Sequence, residues 1–419
     1  MALARWAAMV LALVAACGGA THAPAKGAGP ARGDPIAFLT SSLRPWPHPD
    51  SPGLVAVTDA PTGLVATYDS ALVILALLRS GERARAARVL QGLAALQSDD
   101  GAVPFSFTLS SPDEGRGYVR SGAIAWIGYA AAEYLDAERG GPARDVAFAL
   151  AHRAAKYLLA RVVSAPGDPR SGLVRGGSGT LRYALDGDRV QEVFEPGEIE
   201  WTSVEHNIDA YFFLRALARV TAVRTYGDAA DRIAAALVAR AWRGDAGQFA
   251  AGIAADGIDT TLPLDCASWG SILLGAIGDT ERADTAYAVA DARYASRDPD
   301  STTAGHRPYA IGAVIADVDL MHHFAATLSA ATWEKYDGVW LEGSAGVALA
   351  AWRSGRAERA REILDALEAL RTEDGALPAS TRPVPFLFAP GPSVAATAWV
   401  ALVRFELGRP RDRPTLWAP

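Results

Sequence analysis

The stretch that decides the fold reads GERARAARVLQGLAALQSDDGAVP over residues 81–104, and it recurs as GRAERAREILDALEALRTEDGALP over residues 355–378. Each copy follows an apolar segment, residues 71–78 in the first case and residues 345–352 in the second. The repeated unit therefore consists of an apolar helix, a glycine turn, an amphipathic helix and an Asp-Gly turn. An internal repeat of supersecondary size indicates an architecture built by stacking equivalent units.

Looser copies of this unit fill the chain between the two clear ones. A helix that is apolar on all sides must be buried, whereas a helix with one apolar stripe lies outside and packs that stripe inward. Alternation of the two types predicts an inner ring of helices sheathed by an outer ring, about six hairpins in all. The looser pairs are residues 122–135 with 145–162, residues 208–223 with 229–242, residues 267–277 with 280–293, and residues 393–407 with the N-terminal segment near 36–43.

Antiparallel hairpins point the N-termini of all inner helices the same way. The predicted starts of three inner helices read Thr67-Tyr-Asp-Ser70, Trp201-Thr-Ser-Val-Glu-His-Asn-Ile-Asp209 and Trp340-Leu-Glu-Gly-Ser344. With the hairpin count, these motifs resemble the (α/α)6 toroid of the six-hairpin glycosidase superfamily. The resemblance implies an all-α chain in which residues 35–419 form a single toroid domain. Terpene cyclases and lanthionine cyclases have related toroids, so the fold alone does not decide the function.

The N-terminus reads as a targeting segment. Residues 1–16 carry one basic residue and then an apolar run too short to span a bilayer. The sequence LVAAC, ending at Cys17, resembles the lipobox of bacterial lipoproteins, which implies that Cys17 is lipidated; Gly18 after it favours the outer membrane of the cell envelope. An ordinary signal peptide with an incidental cysteine is the alternative. Residues 17–34 are rich in Gly, Ala and Pro and are expected to form a flexible tether.

The charge balance excludes one class of partner. The formal net charge is −7 and no Lys/Arg-rich run is present, so a nucleic-acid or anionic-membrane surface is not expected. The only membrane contact predicted is the lipid anchor. No cofactor or metal is predicted, because Asp317, Asp319, His322 and His323 do not have the spacing of a common zinc site. The oligomeric state is left open.

Acidic residues are concentrated at the predicted inner-helix starts. Residues 198–209 alone contain four acids and a histidine just before an almost wholly apolar stretch, residues 210–218. Acids at the mouth of a buried helix are costly to desolvate, so they usually have a partner or a task. Because the inner N-termini converge, we expect one shared cavity with four candidate catalytic acids: Asp69, Glu205, Asp265 and Glu342.

Aromatic and polar residues accompany these acids. A cleft of carboxylates flanked by indoles is what sugar binding and cleavage require, since aromatic faces stack on pyranose rings and a carboxyl pair supplies acid and base. The candidate substrate-binding residues are Tyr68, Arg120, Trp126, Trp201, His206, Asp209, Trp269 and Trp340. Only some of these tryptophans are expected to face the cavity, because an isolated tryptophan is more often part of a core.

The sequence predicts inverting hydrolysis of a poly- or oligosaccharide, with Glu205 as general acid and Asp265 activating water. Asp69 and Glu342 are the next candidates for the base. Asp209 lies four residues after Glu205, so the two acids share a helix face and should raise one another's pKa.

Several alternatives remain open on the sequence alone. Thr202 and Glu205 also fit a capping box, in which they would only satisfy the first amides of the helix. Pairing of an acid with Arg120 is another structural explanation. A polysaccharide lyase would take the proton α to a uronate carboxylate with His206, Asn207 and either Tyr68 or Tyr211. Arg120 would bind the uronate. A non-catalytic glycan-binding lipoprotein would keep the aromatic cleft without a working acid/base pair.

Overall fold

A computed structural model describes residues 32–46, 53–310 except 114, 116, 142, 187 and 188, then 337–383, 390–410 and 415–418. The predicted leader with Cys17, most of the predicted tether, and the segment from Asp317 to His323 lie outside these residues. No helix in the described part of the chain is long and apolar enough to cross a membrane.

Twelve helices form the described structure, six of which make an inner ring. They are α1 Pro35–Ser41, α2 Thr67–Ser80, α3 Arg83–Leu96, α4 Ser121–Ala137, α5 Ala143–Leu159, α6 Val204–Thr221, α7 Arg224–Arg240, α8 Leu264–Ala276, α9 Thr280–Arg293, α10 Leu341–Arg353, α11 Ala357–Glu368 and α12 Val394–Leu407. The inner helices α2, α4, α6, α8, α10 and α12 pack in that cyclic order, and α12 returns to α2. The predicted all-α toroid of six hairpins is therefore confirmed.

Burial explains which helices lie inside. In α2 every residue from Ala71 to Leu78 is buried, whereas in its hairpin partner α3 only one stripe, which includes Val89 and Leu93, is buried. Helix α1 packs against α12 and α2, so the N-terminal segment completes the sixth hairpin as predicted. Both clear repeats turn at a glycine in the left-handed region, Gly81 with φ 85° and Gly355 with φ 84°, which most other residues would adopt only with strain.

Short strands fix the loops at one end of the ring. They are β1 Leu43–Pro45, β2 Leu54–Ala56, β3 Leu64–Ala66, β4 Ser106–Thr108, β5 Val119–Arg120, β6 Gly177–Asp186, β7 Arg189–Ile199, β8 Thr202–Ser203, β9 Trp242–Arg243, β10 Gln248–Phe249, β11 Gly252–Ala254, β12 Gly257–Asp259, β13 Ala295–Arg297, β14 Ala304–His306, β15 Leu377–Pro378 and β16 Pro392–Ser393. Each inner helix is entered from an extended residue that pairs antiparallel with a neighbouring loop, as β3 does with β4 and β8 with β11. These pairs hold the six N-termini at the same level.

None of these strands was predicted from the sequence. β6 and β7, the longest, form an antiparallel hairpin that begins at Gly177 and ends at Ile199. Val190, Val193 and Phe194 are residue types that favour a strand, but they do not alternate regularly with polar residues.

Ion pairs close the opposite end of the ring. Glu133, buried near the end of α4, accepts hydrogen bonds from Arg79 of α2 at 2.7 Å and from Arg219 of α6 at 2.9 Å. These three residues lie in the last turns of adjacent inner helices, far from the helix N-termini where the candidate acids are found.

Candidate active site

Four inner helices carry an acid in their first turn: Asp69 on α2, Glu205 on α6, Asp265 on α8 and Glu342 on α10. The unpaired amides at a helix N-terminus favour negative charge there, so each helix partly offsets the cost of placing its acid in the ring. With Asp209, one turn further along α6, these residues are called the acid cluster below.

Electrostatic interactions show that the cluster shares one compartment. Burial raises the pKa of Asp209 well above its usual range, and the charges of Glu205, Asp265 and Glu342 raise it further. Burial likewise raises the pKa of Asp265, and Glu205 and Glu342 add to the rise. Like charges interact this strongly only at close range. The structure therefore brings the acids of α6, α8 and α10 together, as the convergence of helix starts predicted.

Glu342 is held by a hydrogen-bonded chain that crosses three helices. The indole N–H of Trp399 on α12 donates to the hydroxyl of Tyr68 on α2 at 2.6 Å, and this hydroxyl donates to Oε1 of Glu342 at 2.5 Å. Burial raises the pKa of Glu342 to about 8; the charges of Asp69 and Glu205 contribute, and the Tyr68 hydrogen bond partly opposes the rise. At neutral pH this carboxyl therefore keeps its proton.

Asp69 is the acid most closely tied to the scaffold. The hydroxyl of Thr58 donates to its Oδ2 at 2.8 Å and accepts the main-chain amide of Ala66 at 3.0 Å. Burial raises the pKa of Asp69 to about 6, and the bond from Thr58 limits the rise. Asp69 thus fixes the loop before α2 while its charge acts on Glu342.

Exposure separates the acids into two groups. Asp69, Asp209 and Asp265 are 4%, 3% and 8% exposed, whereas Glu205 and Glu342 are only partly buried. A group that transfers a proton to or from a substrate must reach it within hydrogen-bonding distance. Glu205 and Glu342 are therefore the two acids of the cluster best able to touch a ligand.

A layer of indoles lies under the acids. Trp126, Trp269 and Trp399 are the sixth residues of α4, α8 and α12, about one helical turn deeper than the acids, and they are called the tryptophan layer below. Trp269 stacks on Trp399 with ring centroids 5.4 Å apart, and Trp126 meets both rings at steeper angles. The Trp126 indole also interacts with Asp209 and partly opposes the rise of that pKa.

The expected stacking platforms need correction. Trp126 and Trp269 are each 2% exposed and face other aromatic rings, so neither offers a free face to a sugar. Trp201 is 7% exposed and packs with Ile199 and Ala251 in a small separate cluster. Trp340, also 7% exposed, belongs to the main core and pairs with the loop at residue 380. The sequence could not distinguish these core indoles from platforms.

Arg120 is also in a different role from the one expected. Its guanidinium donates to the carbonyl oxygen of Gly179 at 2.9 Å and of Val119 at 3.3 Å, and it lies 4.1 Å from the centre of the Tyr118 ring. Arg120 is 4% exposed, so it anchors the start of the β6–β7 hairpin and is poorly placed to bind a uronate carboxylate.

Two other residues needed by a lyase are buried structural groups. The Asn207 side chain is fully buried and exchanges hydrogen bonds with both main-chain groups of Val174, at 2.8 and 3.0 Å. Tyr211 is 2% exposed and packs edge-on against Phe212. Neither can reach a polysaccharide in this arrangement.

The capping-box explanation of Glu205 is wrong in its details. Ser203 is the N-cap of α6, and its hydroxyl accepts the amide of His206 at 3.3 Å. The hydroxyl of Thr202 donates instead to the carbonyl of Ile253 at 3.0 Å and so ties β8 to β11. Glu205 is then the second residue of the helix rather than the third, where a capping box requires it.

His206 lies at the contact between α4 and α6. A Cβ atom added at Gly122 would overlap the His206 ring, so the absence of a side chain at Gly122 lets the two helix starts approach closely. His206 is partly buried, and with Glu205 and Tyr68 it is among the polar residues of the site that retain exposed surface.

Several solved structures have a similar ring of helices. A wild-type glycosidase is similar with a TM-score of 0.54 and 17% identity, over 89% of this chain and 95% of that one. D-mannose isomerase is similar with a TM-score of 0.60 and 10% identity, over 89% and 94%. Cellobiose 2-epimerase from Bacillus thermoamylovorans reaches 0.60 with 8% identity, over 96% and 99%.

The chain has the six-hairpin (α/α)6 toroid fold of these enzymes. No family model and no curated protein sequence matches it. At these identities the similarity establishes the fold. The toroid fold inferred from the hairpin repeat is thus confirmed. The fold alone does not decide the chemistry of the acid cluster.

Proposed function

We propose that this protein is a carbohydrate-active enzyme that hydrolyses a glycosidic bond with inversion, using Glu342 as general acid and Glu205 as general base. The observation that carries the proposal is the raised pKa of Glu342, about 8, on a partly exposed carboxyl at the centre of a sugar-enzyme fold. A general acid must be protonated at the working pH and within reach of the leaving group, and Glu342 satisfies both conditions.

The reaction needs one water molecule and no other reactant. Glu342 gives its proton to the glycosidic oxygen as the bond between that oxygen and the anomeric carbon breaks. The Glu205 carboxylate takes a proton from the water whose oxygen bonds to the anomeric carbon from the opposite face. Glu205 lies in the first turn of α6, where the unpaired helix amides interact favourably with a carboxylate.

These roles differ from the ones expected from the sequence. Asp265 was the first choice for activating water, but burial and neighbouring charges raise its pKa well above the usual range, which disfavours the ionised form that a general base needs. We assign Asp265 and Asp209 to limiting the negative charge around the two glutamates. Glu205 changes from acid to base.

The charge of the site supports a neutral or weakly charged glycan as substrate. Asp69 and Glu205 are the ionised acids in this scheme, and with the formal net charge of −7 they disfavour polyuronates; Arg120, the expected uronate ligand, is hydrogen-bonded to main-chain carbonyls. A lyase reaction on uronates is thereby disfavoured.

Isomerisation or epimerisation of a reducing sugar is the second candidate. His206 is partly exposed beside Glu205, and an imidazole next to a carboxylate can move a proton on a sugar carbon. The fold similarity to D-mannose isomerase and cellobiose 2-epimerase supports keeping this reaction in view.

The test is a panel of neutral oligosaccharides, polyuronates and reducing sugars, with products followed by NMR so that the anomeric configuration is read directly. We expect Glu342→Gln and Glu205→Gln each to lower turnover of the cleaved glycan by about 10²–10⁴-fold, the usual contribution of an acid or base. Glu358→Gln is the matched control, since Glu358 is an exposed first-turn acid on the outer helix α11. Retained turnover in both active-site variants, or products of isomerisation alone, would exclude the assignment.

We also propose that the mature protein is anchored in the cell envelope through lipidated Cys17. The support is the lipobox-like sequence before this cysteine. Wild type should incorporate labelled palmitate and partition into detergent, and Cys17→Ala should do neither. Soluble, unlabelled wild-type protein after export would show an ordinary signal peptide instead.

A further inference from the structure

The centre of the ring is filled from the end opposite the acid cluster. Residues Thr415–Trp417, called the C-terminal plug below, lie among the inner helices, and Leu416 and Trp417 are each 1% exposed. The Trp417 ring stacks on Phe212 of α6 with centroids 4.8 Å apart and an interplanar angle of 7°. Phe212 is the ninth residue of its helix, so the plug reaches to just beneath the tryptophan layer.

All three members of the tryptophan layer contact the Trp417 ring. Its centroid lies 5.2 Å from that of Trp126, 5.0 Å from that of Trp269 and 5.8 Å from that of Trp399. Buried aromatic contacts of this kind fix ring orientation as well as contributing buried area. Trp417, which lies outside the ring helices, thus touches every indole of the layer.

Polar contacts hold the plug in place at the far end of the ring. The buried Glu406 carboxylate accepts the main-chain amides of Thr415, at 2.7 Å, and of Leu416. The hydroxyl of Tyr129 accepts the amide of Trp417 at 2.7 Å and donates to the carbonyl of Thr415 at 3.1 Å. The carbonyl of Leu416 accepts from an inner-helix arginine of α10. A short segment with this many specific bonds has one defined position.

We propose that Trp417 is a positioning residue of the acid cluster, which holds the indoles of Trp126 and Trp399 in place beneath the carboxyl groups and keeps water from entering from below. Trp126 interacts with Asp209, and Trp399 donates to the hydroxyl that binds Glu342. The plug therefore acts on Asp209 through Trp126, and on Glu342 through Trp399 and Tyr68.

The consequence can be measured on Glu342 without any substrate. Burial is the main cause of its pKa of about 8, and removing a large ring below the layer would admit water and lower that pKa. Infrared spectroscopy follows the C=O stretching band of protonated carboxyl groups as a function of pH. The part of the band that belongs to Glu342 is identified by its loss in Glu342→Gln.

We expect Trp417→Ala to move the Glu342 midpoint toward acid by about one pH unit or more, and Trp417→Phe to move it less in the same direction. Trp242→Ala is the matched control, because Trp242 packs on Phe249 in the outer part of the fold and should leave the midpoint unchanged. If Trp417→Ala does not fold, Trp417→Phe still decides. A lower melting temperature with an unshifted midpoint in a folded variant would reduce Trp417 to a stabilising residue and overturn the proposal.

The inference rests on the proposed function only in calling the acid cluster an active site. Titration of Glu342 requires no turnover, so a failure of the positioning role of Trp417 and a failure of the glycosidase proposal are separate results. Glycan cleavage with an unshifted Glu342 midpoint in Trp417→Ala would reject the positioning role alone. A shifted midpoint in a protein that cleaves no glycan would support it and reject the hydrolase.

Discussion

Replacing Glu342 with glutamine is expected to stabilise the fold by an amount that grows with pH. The pKa of Glu342 rises from 4.5 to about 8, first through burial and then through the charges of Asp69 and Glu205. Below about pH 4.5 the carboxyl is protonated in the folded and the unfolded chain alike and imposes no penalty. Between about pH 4.5 and about pH 8 the unfolded chain releases its proton while the folded chain keeps it, so the free energy of unfolding falls as the pH rises. Above about pH 8 this loss of stability is complete.

The size of the effect follows from the two pKa values. Their difference corresponds to about 5 kcal/mol at ~1.4 kcal/mol per pH unit, and screening by water at the partly exposed Glu342 reduces this to about 3 kcal/mol. The amide of Glu342→Gln keeps an acceptor for the Tyr68 hydroxyl, so the variant removes the charge with little change of shape.

The assay is urea unfolding of wild type and Glu342→Gln at about pH 5 and about pH 9, from which the difference in unfolding free energy is obtained at each pH. We expect this difference to shift in favour of glutamine by about 3 kcal/mol between the two conditions. Glu358→Gln, which removes an exposed acid, should show no such shift. An equal difference between wild type and Glu342→Gln at both pH values would refute the reasoning, because it would mean that Glu342 titrates normally in the folded chain.

Three further predictions concern other parts of the ring. Tyr68→Phe removes the hydrogen bond that favours ionised Glu342, so the infrared midpoint of that carboxyl should move toward alkaline pH; a move toward acid would contradict the hydrogen-bond direction. Glu133→Gln leaves Arg79 and Arg219 without the carboxylate that both contact, and it should lower the free energy of unfolding by about 3 kcal/mol, as measured by urea denaturation. A change below about 1 kcal/mol would show that water replaces the carboxylate as their partner. Gly92→Ala would force a methyl group onto a main-chain carbonyl of β2 and should cost about 2 kcal/mol, whereas Gly227→Ala on α7, where the methyl group would meet Ala218 only at ordinary contact distance, should be neutral or stabilising; equal effects would show that the β2 loop moves freely.

The ring itself could be predicted because its signals are local. An apolar helix and a helix with one apolar stripe can be distinguished from about fifteen consecutive residues. The same glycine turn joins the two helices in both clear repeats. Even the partner of the last hairpin, α1, followed from counting the helices that needed one. The β6–β7 hairpin was missed because its apolar and polar residues do not alternate regularly, so the period typical of a strand is absent from the sequence.

The candidate site could be predicted less fully because its properties depend on residues far apart in the chain. That the acids of α6, α8 and α10 meet follows from parallel inner helices, and the sequence predicted it. Which acid keeps a proton does not follow, since the pKa of Glu342 depends on burial and on residues about 140 to 270 positions away in sequence, such as Glu205 and Tyr68. The roles of the tryptophans were unpredictable for the same reason: an indole at the sixth position of a buried helix looks the same whether it meets a sugar or Trp417.

The distribution of acids around the ring explains why so costly a cluster can persist. Three acids start the consecutive helices α6, α8 and α10, whereas the first turns of α4 and α12 carry none. Helices α4 and α12 instead carry the indoles of Trp126 and Trp399 one turn below, and Asp69 on α2 lies between these two helices in the ring. A buried carboxyl is costly in its ionised form, so five acids around one compartment reduce the stability of the folded chain at neutral pH. Keeping Glu342 protonated beside Glu205 is costly for folding, and this is the state that acid/base cleavage of a glycosidic bond requires.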